Sequence, residues 1–261
     1  MTTSHAPLPG TPFADRLALI EERSAAFRAC VESADPGARV PGCPDWTTRE
    51  LAAHLGRVQR FWAAVVAAGP ARRPPAEGAA GDGGPPEELL AWSARSTTLL
   101  LDALRAAGPD AVCWTWWAES GHPATAGAVA RHQVQEAAVH TRDAQEAAGA
   151  AQPLPPQVAL DALDEFLHVG FGSMDGWPHS PARVLLATDE GPSWTLILDS
   201  TGASAIRGGT GGRPRPGAAL SGPASELLLA LYRRVPWDGP ALRISGDQDL
   251  VRQLVVWPPL G

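Results

Sequence analysis

The amino-acid sequence predicts an α + α/β two-domain protein, a four-helix bundle followed by a smaller α+β domain. Its 261 residues are enough for two ordinary domains. Apolar residues recur at three- and four-residue steps through the first half, which is the period of an amphipathic helix. After residue 152, a proline-rich segment leads into short apolar runs of strand length. We therefore expect a helical domain over residues 1–152 and an α+β domain over residues 153–261.

Composition narrows the classes of protein. The chain is 44% hydrophobic with a formal net charge of -7, so it can build a core but offers no broad basic surface for nucleic acid or anionic membranes. It has no apolar run near the ~20 residues of a membrane span and no secretory signal pattern at its start. Its three cysteines form no Cys-x-x-Cys pair. We therefore expect a cytoplasmic protein without disulfides or a zinc ribbon.

Four helices are predicted in the first half. The first covers residues 13–31, and the proline–glycine pairs that follow predict a loop up to residue 46. The second begins at Thr47, where Glu50 three residues later completes a capping box. The third and fourth are expected at residues 86–107 and 124–148. Four helices with this spacing suggest a bundle.

The second half is predicted to mix helices and strands. Its boundary is expected at residues 153–156, because the three prolines there block continuation of a helix. Helices are expected at residues 157–169 and 224–234, with a short closing helix at the end of the chain. Strands are expected at residues 183–188, 194–199, 203–207, 218–221 and 241–245.

The fourth helix carries candidate metal ligands. Glu136 and His140 are four residues apart, so both side chains project from one face. A carboxylate and an imidazole at this spacing can bind one divalent ion together. Their oxygen and nitrogen donors are ligands that zinc, iron and nickel accept. His132 lies on the same side, but eight residues of helix rise about 12 Å, so a third ligand should come from another helix. His54, beside the apolar stripe of the second helix, is the best candidate.

Each of these residues also has a simpler interpretation. A glutamate and a histidine four residues apart on a helix are usually solvated, and a histidine beside an apolar stripe is usually a hydrogen-bonded core residue. We expect Cys43 to have a structural role. The tryptophans at 114, 116 and 117 are expected to form core or a pocket wall just before the fourth helix.

Three segments resemble the mycothiol-dependent maleylpyruvate isomerase family. Residues 40–47 (VPGCPDWT), followed by residues 51–56 (LAAHLG), resemble the family's opening motif. Residues 131–144 (RHQVQEAAVHTRDA) are similar to its metal-binding helix, with Glu136, His140 and Asp143 in matching places. Residues 219–247 are similar to its C-terminal domain. The resemblance runs in the same order through nearly the whole chain.

The resemblance implies a DinB-like four-helix domain with a divalent metal, usually zinc, bound by His54, Glu136 and His140. It also implies mycothiol as cosubstrate, a thiol of high-GC actinobacteria. The absence of Lys and Asn, whose codons are A/T-rich, fits such a source. Arg234 matches an arginine of the family's C-terminal domain and is a candidate anchor for an anionic group, although a surface arginine at a helix end is the alternative. Many relatives carry histidine where this chain has Gln135, which bears on the reaction.

The sequence therefore predicts an enzyme that activates mycothiol at a divalent metal. The thiolate would attack a small electrophilic substrate, either for S-transfer as a transferase or for isomerisation as an isomerase. Two alternatives stay open. One is a non-catalytic protein that binds and sequesters a small molecule on the same fold. The other is a metal-dependent hydrolase in which the same site activates water.

Overall fold

The computed structural model describes residues 10–76, 88–208 and 215–259 of the chain. These residues divide into two compact units, residues 11–154 and residues 155–259. The first is helical, and the second is smaller and combines a mixed sheet with helices. The predicted fold class is thereby confirmed. The domain limit between residues 152 and 153 stays a prediction.

The first unit is built from four long helices. Helix α1 packs mainly against α4, and α2 mainly against α3. Their apolar stripes meet in a core that includes Phe27, Leu51, Leu55 and Trp92. The expected start of the third helix at residue 86 lies outside the described residues. The helices are α1 (Phe13–Ser33), α2 (Thr48–Ala68), α3 (Leu89–Ala107) and α4 (Ala126–Ala147).

A short hairpin precedes α2, where the sequence predicted only a loop. Strands β1 (Arg39–Val40) and β2 (Cys43–Thr47) pair antiparallel, with Val40 opposite Cys43. The prediction of a loop was therefore wrong. Strands of only two and five residues show too little alternation of apolar and polar residues to be recognised in a sequence. The Pro41–Gly42 pair indicates a turn but not the pairing of the strands.

The start of α2 follows the predicted capping box. The Thr47 hydroxyl accepts a hydrogen bond from the backbone N–H of Glu50 at 3.3 Å, and the Glu50 carboxylate accepts one from the backbone N–H of Thr47 at 2.7 Å. The hydrogen bonds from Thr47 lower the pKa of Glu50. The cap fixes where α2 begins, and hence on which face of the helix His54 projects two turns later.

The second unit contains a five-stranded mixed sheet in the order β5-β4-β3-β6-β7. Strands β3 and β6 are parallel, and the other neighbours are antiparallel. Two helices, α6 (Ala224–Leu231) and α7 (Gln248–Val256), complete the unit with α5 (Pro156–Glu165). The strands are β3 (Ala182–Thr188), β4 (Ser193–Asp199), β5 (Gly202–Arg207), β6 (Ala218–Gly222) and β7 (Arg243–Gly246).

Two helices of this unit end earlier than the sequence predicted. The helix expected over residues 157–169 is α-helical only to Glu165 and continues as a wider π turn, Phe166–Gly170. The helix expected to reach residue 234 ends at Leu231, because Arg233 takes a left-handed conformation with φ of 57° and cannot continue an α-helix.

Within the described part of the chain, no helix is long and apolar enough to cross a membrane. The cytoplasmic location expected from the sequence stays a prediction.

Candidate metal centre

The three predicted ligands meet in the first unit. Helices α2 and α4 bring donor atoms of His54, Glu136 and His140 within 4.8 Å of one another. The Nε2 atom of His140 lies 3.5 Å from Oε2 of Glu136, and the rings of His54 and His140 are 5.0 Å apart and nearly perpendicular. Donors that share one zinc ion lie about 2.1 Å from it and so about 3 to 4 Å from one another. Modest side-chain rotations would therefore bring these three donors to a single ion.

Asp143 orients His140 for this role. Its Oδ2 atom lies 3.0 Å from Nδ1 of His140, and Asp143 is fully buried. With the Nδ1 proton donated to Asp143, the Nε2 lone pair of the imidazole is directed toward Glu136. Histidines that bind metals in proteins are commonly held by a carboxylate in this way, which fixes both the tautomer and the ring. The donor set therefore fits a divalent metal ion.

Cys43 lies beside this arrangement. Its Sγ atom is 3.7 Å from Oδ2 of Asp143, so Cys43, His140 and Asp143 form a second group of potential ligands within 4.8 Å. This group shares His140 with the first. We assign it to the support of His140, because a metal there would have to displace the hydrogen bond between Nδ1 of His140 and Asp143. The sequence did not place Cys43 near the ligands, since the hairpin that carries it was not predicted.

Trp46 is a site residue that the sequence reasoning did not single out. It lies on β2, and its ring is 4.5 Å from the ring of His54 and 6.3 Å from that of His140. The only signal for it was its place in the motif of residues 40–47. The hairpin thus brings an aromatic wall against the two histidines.

Burial and charge act in opposite directions on the pKa values of the two candidate ligands of α4. Burial alone would raise the pKa of Glu136, but its contact with His140 and the charges of His140, His132 and His54 hold that pKa at about 2. Burial alone would lower the pKa of His140, but Asp143 and Glu136 on its two sides raise it to about 9. Without a metal, the site at neutral pH therefore contains an imidazolium between two carboxylates.

Metal uptake should be strongly pH-dependent. If His140 binds the metal, its proton must be expelled on binding, because the metal requires the neutral imidazole. Between pH 6.5 and about 9, the apparent affinity is expected to rise about tenfold per pH unit and then to level off. Calorimetry in buffers of different ionisation enthalpy should show about one proton released per ion at pH 7.5.

The Asp143→Asn variant provides a matched test of this pH dependence. It removes one of the charges that raise the pKa of His140, so the plateau should begin at lower pH. An affinity that does not change with pH across this range would contradict the assignment of His140.

His132 lies one turn before Glu136 and is surrounded by aromatic rings. Its ring is 5.8 Å from that of Trp62, 5.9 Å from that of Trp116 and 5.4 Å from that of Trp117. Of the tryptophans expected to form core or a pocket wall, two differ in exposure. Trp117 is buried, whereas Trp116 is 46% exposed.

Two further residues singled out by the sequence are not among the converging donors. Gln135 is buried next to Glu136 in the chain, but consecutive helical residues project about 100° apart, so it does not share the face of the ligands. Arg234 belongs to the second unit, where its Nη1 donates to the carbonyl oxygen of Tyr232 at 2.9 Å. Its role as an anion anchor stays a prediction.

The fold and the site together define a class of protein. In this class, a helical domain carries two histidines and a glutamate as a candidate metal centre, and a mixed α+β domain follows it. Residues 17–145 match the mycothiol maleylpyruvate isomerase N-terminal domain, and residues 157–253 match the MDMPI C-terminal domain. The chain therefore belongs to the mycothiol-dependent maleylpyruvate isomerase family, and the resemblance identified in the sequence is confirmed.

Solved structures agree with the fold. The crystal structure of the mycothiol-dependent maleylpyruvate isomerase is similar with a TM-score of 0.58 at 16% identity, covering 95% of this chain and 97% of that one. A histidine-to-alanine mutant of the same enzyme gives a TM-score of 0.59 with the same identity and coverage. None of the curated protein sequences matches this chain. At such identity, the structural likeness shows the fold alone.

Proposed function

We propose that this protein is a metal-dependent enzyme that uses mycothiol as a thiol cosubstrate, with zinc as the metal. His54, Glu136 and His140 would hold the ion, and the thiol would be activated for S-transfer to, or isomerisation of, a small electrophilic substrate. The observation that carries the proposal is the convergence of these three donors from α2 and α4 in a chain of this family. Three protein ligands leave a coordination position for a substrate atom, as in catalytic rather than structural zinc sites.

The charge of the donor set favours a thiolate. A cysteine-like thiol has an unperturbed pKa near 8.5 and is a weak nucleophile until it ionises. A divalent cation beside the thiol sulfur stabilises the anion at lower pH. Two neutral imidazoles and one carboxylate offset only one of the two positive charges of the ion, so an anionic fourth ligand is attracted. Asp143 supports this by keeping the proton of His140 on Nδ1, away from the ion.

S-transfer and isomerisation share their first step, the attack of the thiolate on an electrophilic carbon. In S-transfer, the new carbon–sulfur bond is kept. Either a leaving group departs from that carbon with its bonding electrons, or, after addition to a double bond, the neighbouring carbon takes up a proton. In isomerisation, addition to a double bond permits rotation about the former double bond, and loss of the thiol then restores it. The difference lies in whether the thiol leaves, which the substrate and the groups around it decide. Arg234 is proposed to anchor an anionic group of either substrate.

A reaction screen tests the proposal. Zinc-loaded protein is incubated with mycothiol and a panel of electrophiles that includes maleylpyruvate, and the products are identified by mass spectrometry. We expect either a mycothiol adduct or an isomer of at least one electrophile, absent in Glu136→Ala. Substrate turnover that occurs equally without mycothiol would favour the hydrolase. No turnover together with tight substrate binding would favour the sequestration protein.

Cobalt substitution reports directly on the thiol. When mycothiol is mixed with cobalt-loaded protein, a sulfur-to-metal charge-transfer band is expected in the near ultraviolet, because the thiolate enters the position left open by the three protein ligands. If mycothiol left the cobalt spectrum unchanged, the proposed thiol chemistry would be contradicted, but the proposed metal site would not.

The Arg234→Ala variant should retain its metal but lose turnover. If Arg234 binds an anionic group, its removal costs a charge-assisted hydrogen bond of about 1.5–3 kcal/mol, which corresponds to roughly a 10- to 100-fold fall in kcat/KM. Arg252→Ala is the matched control, because Arg252 is an exposed arginine of the same unit that pairs with Asp249. Equal turnover in the two variants would contradict the role of Arg234.

A further inference from the structure

We propose that His132 is a positioning residue for the candidate metal centre. It holds one carboxylate oxygen of Glu136 and so presents the other oxygen beside His54 and His140. This inference rests on the metal site of the proposed function and adds a residue that does not itself bind the ion.

The two oxygens of Glu136 face different histidines. Its Oε2 atom lies 3.5 Å from Nε2 of His140, and its Oε1 atom lies 3.8 Å from Nε2 of His132. The three residues are spaced by four along α4, so the carboxylate lies between two imidazoles on successive turns. At 3.8 Å, the contact with His132 is longer than a hydrogen bond, but a small shift of either side chain would let the Nε2–H group donate to Oε1. It nevertheless marks Oε1 as the oxygen directed away from His140.

His132 is not one of the converging donors. Among the described residues, the group at this point consists of His54, Glu136 and His140. The position of His132 two turns before His140, about 12 Å along the helix axis, explains why one ion cannot bind both. Its contact with the site therefore passes through Glu136.

The surroundings of His132 hold its ring in place. Trp62 approaches from α2, and Trp116 and Trp117 approach from the segment before α4, all with ring centroids within 5.9 Å of the imidazole. Trp117 is itself fixed, because it is buried and its Nε1 donates to the carbonyl oxygen of Pro123 at 2.9 Å. The side chain of His132 is only 12% exposed. A solvated surface histidine would not be enclosed on three sides by indole rings.

A carboxylate that is held at one oxygen can bind an ion in one defined way, through its other oxygen. With Oε1 directed to His132, Glu136 would offer the ion Oε2 alone, and the coordination position that a second oxygen would occupy would stay available to substrate. Groups that orient a metal ligand in this way typically affect metal affinity or activity by about 10- to 100-fold.

Two substitutions separate positioning from packing. His132→Phe keeps an aromatic ring among the tryptophans but removes the N–H group, whereas His132→Gln keeps an N–H donor without the ring. We expect zinc affinity, measured by competition with a chelating dye, to fall about 10- to 100-fold in His132→Phe and clearly less in His132→Gln. His179→Ala is the control, because it removes an exposed histidine of the second unit. Circular dichroism of the metal-free variants checks that they are folded.

The cobalt spectrum gives a second readout that packing alone would not change. In His132→Phe, both oxygens of Glu136 can reach the ion, so the coordination number should rise and the visible absorption of cobalt should weaken. Affinity and spectrum equal to wild type in His132→Phe would overturn the inference, as would equal losses in His132→Gln and His132→Phe. A wild-type chain that binds no ion would remove the proposed function as well, so the two failures are distinguishable.

Discussion

Removal of any one of the three candidate ligands is expected to abolish stoichiometric metal binding. Wild-type protein should carry about one divalent ion per chain, and His54→Ala, Glu136→Ala and His140→Ala should each fall to background. The reason is geometric: in the described part of the chain, His54, Glu136 and His140 are the donors from α2 and α4 that converge within 4.8 Å, and two of them alone would hold the ion too weakly against buffer and water. Elemental analysis of dialysed protein measures the occupancy.

His179→Ala again serves as the control, since it is the same substitution at an exposed site in the second unit and should retain full occupancy. Full occupancy in both His54→Ala and His140→Ala would contradict the assignment. Loss in only one of them would identify the other histidine as a neighbour rather than a ligand.

Gly56→Ala is expected to lower the free energy of unfolding of the helical unit by about 1–3 kcal/mol, despite the higher helix propensity of alanine. A Cβ atom at residue 56 would lie 2.1 Å from Cζ3 of Trp92, and the ring of Trp92 is buried in the core between α2 and α3. The ring must shift, or the two helices must separate. Denaturant unfolding followed by circular dichroism measures the change.

Gly37→Ala is the matched substitution in the same unit. Its Cβ would have only an ordinary contact of 3.5 Å with Asp35, so the stability should change by less than about 0.5 kcal/mol. If Gly56→Ala proved as stable as Gly37→Ala, the result would contradict the close approach of α2 and α3 at Trp92.

The sequence predicted those parts of the fold that depend on local periodicity. The apolar stripe of α1 and the capping box at Thr47 each lie within a few residues, so both are readable from the chain alone. The hairpin of residues 39–47 was missed because its pairing is too short to produce a pattern. The left-handed Arg233 was missed because arginine gives no local signal for that conformation.

The candidate site was predictable only in part, for a similar reason. The four-residue spacing of Glu136 and His140 is a local property, and it implied a shared face. His54 was the best third candidate because it lies beside the apolar stripe of α2, and the family resemblance supported it. The packing of α2 on α4, which brings it to the other two donors, cannot be deduced from spacing. The contribution of Trp46 and Cys43 depends on the hairpin, and the enclosure of His132 depends on a segment without regular structure. Such long-range contacts have no signature in a single sequence.

The position of His140 between Asp143 and Glu136 has a consequence for how the enzyme would mature. When no metal is bound, the imidazolium supplies a positive charge to the same two carboxylates that would otherwise repel each other. The charges of the site are therefore compensated before any ion binds, and metal binding exchanges a proton for a cation inside a folded bundle. Unlike small domains that fold only around zinc, this chain should emerge from synthesis already folded and acquire its ion afterwards.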